Sequence, residues 1–457
     1  MTPALPLCVI ESPLERRFTL TSKEDGALMA EGDFSSLEFR GPRREDEFDI
    51  YEAVDTSSQN LEDHVYSCVA ICRKDWNDQW PALGGTRHFP KDRELAQHEA
   101  MELAMSMYIK NSLLRKAAQS LQNGSGYFDW QGGKGVIWTP PGTALSEHRL
   151  RCHGRLINFI GGQYVGSGDV GVGEPELRIL AQVTNHLIGL RCERDTGEGT
   201  AHGIFSGLRQ AVREQAGDFG ADPADPLRGL PILVFGAGKV GFPLLRLLHD
   251  AGAEVWVFDE NLKPGSQAVE AWYQKSVQRE AAVGEKHRQA LLAIDAAGRI
   301  LSSEREALEH PRVRIVSPNA GMTEWLSRLP QGSDGQSRAE FLAANRAKNG
   351  NLLLILGAGN DQVSTTPSGK KDRDRTLSIL AAAGIVFIPD TLVSPGGVIS
   401  VSHERAPHWS ADEVNEDSRR IVARAVEQIY AEARRIGSVD AVTMYRAMEN
   451  LVESDWR

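Results

Sequence analysis

Two lysines and an aspartate in the first half of the chain are of the residue types that a proton-transfer site needs. Lys110 follows MSMYI, Lys134 lies in GGKG and Asp169 lies in GSGDVG. If the fold brings both lysines together, their repulsion and burial lower an amine pKa, so that one lysine can act as a neutral base near neutral pH. A carboxylate beside them supplies a second proton-exchanging group. Taken singly, each residue is more typical of a surface or a turn.

A glycine motif in the second half predicts a dinucleotide site. An apolar, strand-like run ends in FGAGKVG and is followed by a helix-like segment, and Asp259 ends the next apolar run, 21 residues after Gly238. In such a βαβ unit the glycines permit a tight turn, close approach of the pyrophosphate and close helix packing, and the phosphates lie at the helix N-terminus. The predicted cofactor-binding residues are Gly236, Gly238, Lys239, Val240, Gly241 and Asp259. A structural turn without a ligand is the alternative.

The acidic residue decides the predicted cofactor. Asp259 can accept hydrogen bonds from the ribose hydroxyls of NAD and repels the 2′-phosphate of NADP. We therefore predict NAD rather than NADP, although Lys263 lies near enough in sequence to soften the repulsion.

The elements that position these residues follow from apolar periodicity. In the first half we predict a strand at Tyr66–Cys72, a helix from Arg93 to about Gln119, a strand in Gly132–Pro140 and a strand-and-turn unit at Leu156–Glu174. In the second half we predict a helix at Thr200–Gln215, strands at Pro231–Phe235, Glu254–Asp259, Val313–Val316, Leu352–Leu356 and Gly384–Ile388, helices in 261–310, a basic surface loop at Ser368–Arg375 and helices from Asp412 onward.

Composition excludes several classes of protein. The 457 residues are 41% hydrophobic and carry a net charge of −11, so we expect no generic binding to nucleic acid or to a membrane surface. Five cysteines do not suggest a disulfide scaffold, and no apolar run is long enough for export or a membrane span, so we expect a cytoplasmic location. Cys68 and Cys72 lie about 13 Å apart on a strand, which favours packing over metal binding, and no metal site is predicted.

Eight motifs together resemble one family. They are PALGGTR (81–87), MYIKN (107–111), GGKGVI (132–137), GDVG (168–171), GTAHGI (199–204), FGAGKVG (235–241), GAGN (357–360) and PGGVISV (395–401). Their order is that of the glutamate, leucine, phenylalanine and valine dehydrogenases, and from about Tyr66 onward the chain resembles this family, the leucine branch most of all.

The resemblance implies a role for each matching residue. Lys110 corresponds to the lysine that pairs with the substrate α-carboxylate, Lys134 to the lysine that activates the attacking water, and Asp169 to the aspartate that exchanges protons with the substrate amine. Thr200 corresponds to a contact of the nicotinamide amide, and Asn360 to an asparagine near the nicotinamide ribose.

The family's substrate side-chain pocket corresponds to apolar positions in this chain. The predicted substrate-binding residues, besides Lys110, are Leu83, Gly84, Gly132, Val398 and Val401. The γ-carboxylate of a glutamate substrate would be buried without a partner among the side chains of Leu83, Val398 and Val401. Apolar amino acids are therefore favoured as substrates and glutamate is disfavoured.

The resemblance also implies the architecture. We expect an α/β protein with an N-terminal catalytic domain (1–197, of which 1–60 is a divergent extension), a Rossmann domain (198–400) and C-terminal helices (401–457) that pack back on the catalytic domain. A homo-oligomer is expected by resemblance alone.

The chain departs from the family pattern in three places. The two lysines lie 24 residues apart because NGSGYFDWQ is inserted, and its Tyr127, Phe128 and Trp130 either contact a larger substrate or pack at the base of the loop. Ser394-Pro395 replaces the family's Asn-Ala, and Gly359 replaces an alanine. Additional length also falls in the N-terminal extension and around 261–310 and 330–350.

We therefore predict NAD-dependent oxidative deamination of an apolar, aliphatic or aromatic, L-amino acid to the 2-oxo acid and ammonia, or the reverse reaction, in a specialised biosynthetic role. Two alternatives remain: a non-catalytic NAD-binding regulatory or assembly subunit, and the same fold acting on a non-standard amine or keto acid.

Overall fold

The computed structural model describes residues 8–9, 19–20, 36–60, 63–121, 128–190, 196–277, 284–320, 324–330, 333, 335–359, 361–365, 369–405 and 410–454. The chain divides into two compact units. Unit 1 comprises Met1–Ser112, Gly126–Cys192 and Val401–Pro407, and unit 2 comprises Leu113–Ser125, Glu193–Ser400 and His408–Arg457.

Unit 1 is built on a six-stranded mixed sheet with the strand order β3-β4-β5-β7-β6-β8. Its strands are β3 (Glu38–Glu45), β4 (Phe48–Asp55), β5 (Val65–Cys72), β6 (Ala82–Phe89), β7 (Gln131–Trp138) and β8 (Tyr164–Gly168), and a separate pair is formed by β1 (Cys8–Val9) and β2 (Thr19–Leu20). The pairs from β3 to β7 are antiparallel, whereas β6 runs parallel to both β7 and β8. The residues predicted to do chemistry lie on the parallel part.

Both faces of this sheet are covered by helices. The helices of unit 1 are α1 (Glu94–Ser120, grouped with unit 1 as far as Ser112), α2 (Glu147–Phe159) and α3 (Glu174–Leu180). On the α1 face the Cys68 thiol lies 3.7 Å from Ala96 O, and on the α2 face a Cβ on Gly135 would lie 2.8 Å from His153 Nε2. Burial on both faces explains why β5 and β7 are buried along their whole lengths and show no alternation of polar and apolar residues.

One predicted element of unit 1 is wrong in type. The run Leu156–Phe159, expected to open a strand-and-turn unit, forms the last turn of α2, and the strand begins only at Tyr164. Ser146 caps this helix by accepting a hydrogen bond from Arg149 N. A short apolar run does not distinguish the end of a buried helix from a strand by periodicity alone.

Unit 2 is a parallel sheet with the strand order β10-β9-β11-β12-β13. Its strands are β9 (Pro231–Phe235), β10 (Glu254–Phe258), β11 (Ile315–Pro318), β12 (Leu354–Ile355) and β13 (Val386–Phe387). Its helices are α4 (Thr196–Glu214), α5 (Ala216–Phe219), α6 (Gly241–Asp250), α7 (Ser266–Val277), α8 (Glu285–Ala296), α9 (Glu304–Leu308), α10 (Arg338–Asn349), α11 (Lys370–Ala382), α12 (Asp390–Val393), α13 (Gly396–Ser402, grouped with unit 2 as far as Ser400), α14 (Ala411–Ile436) and α15 (Ala441–Ser454). This order of strands and crossover helices confirms the predicted Rossmann fold.

The predicted basic loop at Ser368–Arg375 is also wrong in type, because α11 begins at Lys370. Arg373 is buried on this helix, donates to Ser364 O at 3.0 Å and lies over the Tyr445 ring at 4.9 Å. Part of the basic run therefore packs inside unit 2.

The C-terminal helices are grouped with unit 2. Arg434 of α14 donates to the Glu214 carboxylate at the end of α4, at 2.8 Å. The sequence-based boundaries place 401–457 with the catalytic domain, whereas in this division only Val401–Pro407 are grouped with unit 1.

Among the described helices, none is both long and apolar enough to cross a membrane.

The described cysteine side chains, Cys68, Cys72 and Cys152, are free and buried. Burial raises the pKa of the Cys72 thiol to about 12, so this side chain packs as a neutral apolar group. In the described ranges, no group of three or more His, Cys, Asp or Glu residues could hold a metal ion.

Candidate active site

The parallel register of β7, β6 and β8 brings Lys134 to Asp169. In the parallel pairing of β7 with β6, Gly135 lies opposite Thr86. The residue before it, Lys134, therefore lies beside Gly85 of β6. A Cβ on Gly85 would lie 2.7 Å from Gly168 O and 2.8 Å from Asp169 Cβ. Since glycine leaves this space open, the Lys134 side chain reaches across β6, and its Nζ lies 2.5 Å from Asp169 Oδ2.

Arg87 lies beside this pair, although the sequence indicated it only as part of the PALGGTR motif. Its Nε donates to Asp169 Oδ2 at 2.9 Å, and its Nη1 donates to Glu99 Oε1 on α1 at 2.7 Å. The arginine side chain is only 11% exposed. The site therefore holds an ion-pair chain, Glu99–Arg87–Asp169–Lys134, in which Lys134 is buried and the other three side chains are partly buried.

The surroundings shift the pKa values of both proton-transfer candidates. Burial alone would raise the pKa of Asp169, but the charges of Lys134 and Arg87 outweigh it and hold that pKa well below its ordinary range. For Lys134, burial lowers the pKa, and repulsion by Arg87 and Lys110 adds to this, while the attraction of Asp169 opposes it. The Asp169 carboxylate is therefore ionised. The neutral amine of Lys134 forms more easily here than that of a lysine exposed to water.

Lys110 reaches the site because α1 approaches the sheet closely at Gly132. A Cβ on Gly132 would lie 2.4 Å from Ala104 O and 2.5 Å from Tyr108 N, so only glycine permits this contact. Lys110, two residues after Tyr108, is buried, and its charge contributes to the lowered pKa of Lys134. The structure therefore brings Lys110, Lys134 and Asp169 together, as the sequence analysis expected.

The predicted substrate-pocket residues fall in two places. Leu83 is buried on β6, where it pairs with Gly132 of β7, and the carbonyl of its neighbour Gly84 accepts a hydrogen bond from the Tyr164 hydroxyl at 2.7 Å. Val398 and Val401 are both buried on α13, and the division into units falls between them. Their role in substrate binding stays a prediction.

Phe128 and Trp130 of the insertion pack within unit 1. Trp130 is fully buried and its Nε1–H donates to Ser402 Oγ at 2.8 Å, while the Arg405 guanidinium lies 4.4 Å above its ring. The Phe128 ring meets the His403 ring edge to face at a centroid distance of 6.3 Å. These contacts agree with the packing interpretation of Phe128 and Trp130, whereas Tyr127 lies outside the described residues.

The glycine turn of unit 2 has room for a pyrophosphate. Gly236 has φ +93°, and a Cβ on Gly241 would lie 1.9 Å from Gly236 O, so both positions require glycine. Apart from its chain neighbours, a Cβ on Gly238 would meet no atom of the described residues within 4 Å, which leaves open space beside the backbone. The helix that follows, α6, begins at Gly241, after Val240, so the positive end of its dipole lies at this turn.

Asp259 faces the same turn. Its Oδ2 accepts a hydrogen bond from Ala237 N at 2.8 Å and its Oδ1 accepts one from Asn261 N at 2.9 Å. Two backbone donors hold the carboxylate in place, and its remaining lone pairs can accept from ribose hydroxyls. The Lys239 side chain packs against the start of α4, where a Cβ on Gly197 would lie 2.6 Å from Lys239 Cγ. These residues fit a dinucleotide.

A second part of unit 2 carries the predicted nicotinamide contacts. The Thr200 hydroxyl donates to Thr196 O at 2.9 Å, and Gly396 lies against its backbone, since a Cβ there would be 2.4 Å from Thr200 Cα. The Ser394 hydroxyl is buried and has no hydrogen-bond partner in the described ranges. An orphaned hydroxyl of this kind suits an external ligand. Asn360 lies outside the described residues.

Known proteins similar in sequence are amino acid dehydrogenases. The chain is 27% identical over 381 residues to leucine dehydrogenase of Geobacillus stearothermophilus, covering 82% of this chain and 83% of that protein. It is 29% identical over 330 residues to valine dehydrogenase of Streptomyces albus, covering 71% and 72%. No family model matches the sequence. The resemblance inferred from the eight motifs is confirmed.

Solved structures share the fold. L-Tryptophan dehydrogenase from Nostoc punctiforme superposes with a TM-score of 0.58 at 21% identity, covering 86% of this chain and 93% of that one. A glutamate dehydrogenase from Peptoniphilus asaccharolyticus superposes with a TM-score of 0.54 at 19% identity, covering 91% of each chain. The predicted α/β fold class is therefore confirmed.

Proposed function

We propose that this protein is an amino acid dehydrogenase that uses NAD to deaminate an apolar L-amino acid oxidatively, giving the 2-oxo acid and ammonia, or that catalyses the reverse reaction. The observation that carries the proposal is one cluster in which the buried Lys110 and Lys134 lie with the partly buried Asp169. A protein that only bound NAD would not need such a cluster of opposing charges.

Each residue of the cluster has a role that its surroundings favour. Lys110 pairs with the substrate α-carboxylate, as a buried cation can do for an anion. Lys134, with its lowered pKa, takes a proton from the water that attacks the imino carbon. Asp169, which is ionised before the reaction, accepts a proton from the substrate amine through its carboxylate and can return it.

The cofactor site is assigned to the glycine turn of unit 2. NAD held at this turn would supply the hydride acceptor for the oxidation of the substrate Cα. Gly236–Gly241 and the start of α6 hold its phosphates, and Asp259 accepts from the ribose hydroxyls. Thr200, Ser394 and Asn360 are proposed as contacts of the nicotinamide end. The carboxylate at Asp259 supports NAD over NADP, because it repels a 2′-phosphate.

The substrate class follows from the apolar pocket positions and from similar proteins. Leu83, Val398 and Val401 offer no partner for a γ-carboxylate, so binding glutamate would leave a buried charge unpaired. The leucine, valine and tryptophan dehydrogenases that this chain resembles support aliphatic or aromatic substrates. Homo-oligomeric assembly and a cytoplasmic location are further parts of the proposal.

The test is a panel of L-amino acids incubated with NAD or NADP, with reduction of the cofactor followed by absorbance at 340 nm. We expect turnover with one or more apolar amino acids, little with glutamate, and a preference for NAD. Asp259→Asn keeps a side-chain oxygen that can accept from the turn but removes the charge, so it should reduce the preference for NAD over NADP. Absence of turnover across the panel, including non-standard amines, would contradict the enzyme assignment, and a wild-type preference for NADP would contradict the cofactor assignment.

A further inference from the structure

The two carboxylate oxygens of Asp169 are used unequally. Oδ2 accepts from both Lys134 Nζ, at 2.5 Å, and Arg87 Nε, at 2.9 Å. Within the described ranges, no hydrogen bond reaches Oδ1. Because two cations converge on one oxygen, the carboxylate cannot rotate without breaking both bonds, and Oδ1 remains for another group.

Arg87 is itself fixed at both ends of its guanidinium. Nε bonds to Asp169 while Nη1 bonds to Glu99, at 2.7 Å, and the Arg87 and Glu99 side chains are only 11% and 19% exposed. A planar guanidinium donating in two directions has little freedom to turn. The ion-pair chain thus runs from α1 through β6 to the end of β8, and Lys134 of β7 joins it there.

The charges facing Lys134 come from three elements. Asp169, after β8, attracts its proton, whereas Arg87 on β6 and Lys110 on α1 repel it. Glu99 on α1 pairs with Arg87. Arg87 therefore acts on both members of the pair, because it stabilises the carboxylate and disfavours the ammonium.

Building on the proposed function, we propose that Arg87 is a positioning residue: it holds Asp169 as an ionised acceptor whose Oδ1 is left for the substrate amine, and it leaves Lys134 as the group that takes up the catalytic proton. In deamination the proton passes from the attacking water to the neutral Lys134 amine while the oxygen bonds to the imino carbon and the C=N π electrons move to nitrogen. Arg87 exchanges no proton in this step, since its guanidinium stays charged.

The test measures the protonation of Lys134 without relying on turnover. Wild type, Arg87→Gln, Arg87→Lys and Glu99→Gln are labelled with trace acetic anhydride over a range of pH, and acetylation of Lys134 is quantified by peptide mass spectrometry. Arg87→Gln should move the labelling midpoint to higher pH because a repelling charge is lost. The acid limb of the pH profile of kcat/KM should shift in the same direction. A shift of one pH unit would lower kcat/KM about tenfold at a given pH on that limb.

Two variants separate charge from structure. Arg87→Lys keeps the charge and should keep the midpoint near that of wild type. Glu99→Gln removes a charge from the same ion-pair chain but keeps an acceptor for Arg87, so its midpoint should not rise. An unchanged midpoint in Arg87→Gln, or an equal rise in Glu99→Gln, would overturn the inference. If Arg87→Gln does not fold, a higher labelling midpoint of Lys134 in Arg87→Lys than in wild type overturns the inference. A shifted midpoint in a protein without turnover would contradict the proposed function and support the charge arrangement.

Discussion

The indole N–H of Trp130 donates a 2.8 Å hydrogen bond to Ser402 Oγ, which lies 272 positions later in the chain. Trp130 belongs to the segment that lengthens the interval between Lys110 and Lys134, and Ser402 directly follows Val401. The Arg405 guanidinium covers the same indole ring at 4.4 Å. Part of the additional length of this chain therefore supports the segment that carries a predicted pocket residue.

Removing this hydrogen bond should lower the stability of the protein. Trp130→Phe keeps an aromatic ring but loses the donor, so we expect a loss of about 0.5–1.5 kcal/mol in the free energy of unfolding. Trp130→Ala also leaves a cavity and should cost about 3–5 kcal/mol. Urea unfolding measures both losses. Trp256→Phe is the matched control, because Trp256 is partly exposed and its N–H bonds to nearby Glu254. Equal losses in Trp130→Phe and Trp256→Phe would argue against a special role of the Ser402 bond.

Gly85 is predicted to be required for activity because it leaves the path from Lys134 to Asp169 open. Gly85→Ala would place a Cβ 2.8 Å from Asp169 Cβ and would push the carboxylate away from the lysine. We expect turnover to fall at least 100-fold, about the effect of losing a positioned proton-transfer group, with NAD affinity unchanged. Gly217→Ala is the control, since a Cβ there meets no atom of another part of the described chain within 4 Å. Turnover near that of wild type in Gly85→Ala would contradict this interpretation of the site.

The sequence was sufficient to predict most of the architecture and the central cluster. The strands at Pro231–Phe235 and Glu254–Phe258 lie within a residue or two of their predicted bounds because short apolar runs mark them. The long helix α1 also lies within a residue or two of its predicted bounds, since apolar residues recur along it at helical spacing. Lys110, Lys134 and Asp169 were found through glycine-rich motifs whose order resembles one family. Local pattern and resemblance thus reached the residues with the clearest chemistry.

Other features depend on contacts that are distant in sequence. The sequence around Arg87 gives no local signal of its role, which emerges only when the register places it near Asp169, 82 residues away, and near Glu99. The burial of Arg373 likewise requires Tyr445 from another helix. Neither contact can be derived from a local sequence pattern.

Ser394 gives a test of the nicotinamide site that does not depend on turnover. Its buried hydroxyl has no partner among the described residues, so Ser394→Ala should leave the unliganded protein as stable as wild type or slightly more stable. If the hydroxyl bonds to the cofactor, NADH affinity should fall by about 2- to 12-fold, corresponding to 0.5–1.5 kcal/mol. Fluorescence titration with NADH measures the affinity and thermal unfolding measures the stability. Unchanged affinity would remove Ser394 from the site.

His153 should make stability depend on pH. It is fully buried under the sheet, and burial lowers its pKa to about 3, while its ordinary value is 6.5. Below pH 6.5 the unfolded chain binds a proton that the folded chain does not, so stability is lost as the pH falls from about 6.5 towards 3, by up to about 1.4 kcal/mol per pH unit. His153→Gln should flatten this dependence in urea unfolding between pH 7 and 5. His98→Gln, at a side chain that is 53% exposed, should not. The same slope in wild type and His153→Gln would refute the assignment.

The most direct test of proton transfer by Lys134 compares wild type with Lys134→Ala for turnover and for NAD binding. Lys134, which is proposed to transfer the proton, lies in unit 1, while the glycine turn and Asp259, which are proposed to bind NAD, lie in unit 2. We expect the kcat of Lys134→Ala with the preferred apolar amino acid to fall at least 100-fold, while its affinity for NAD stays that of wild type. Wild-type kcat in Lys134→Ala would show that Lys134 does not carry out the proton transfer and would contradict the proposed mechanism.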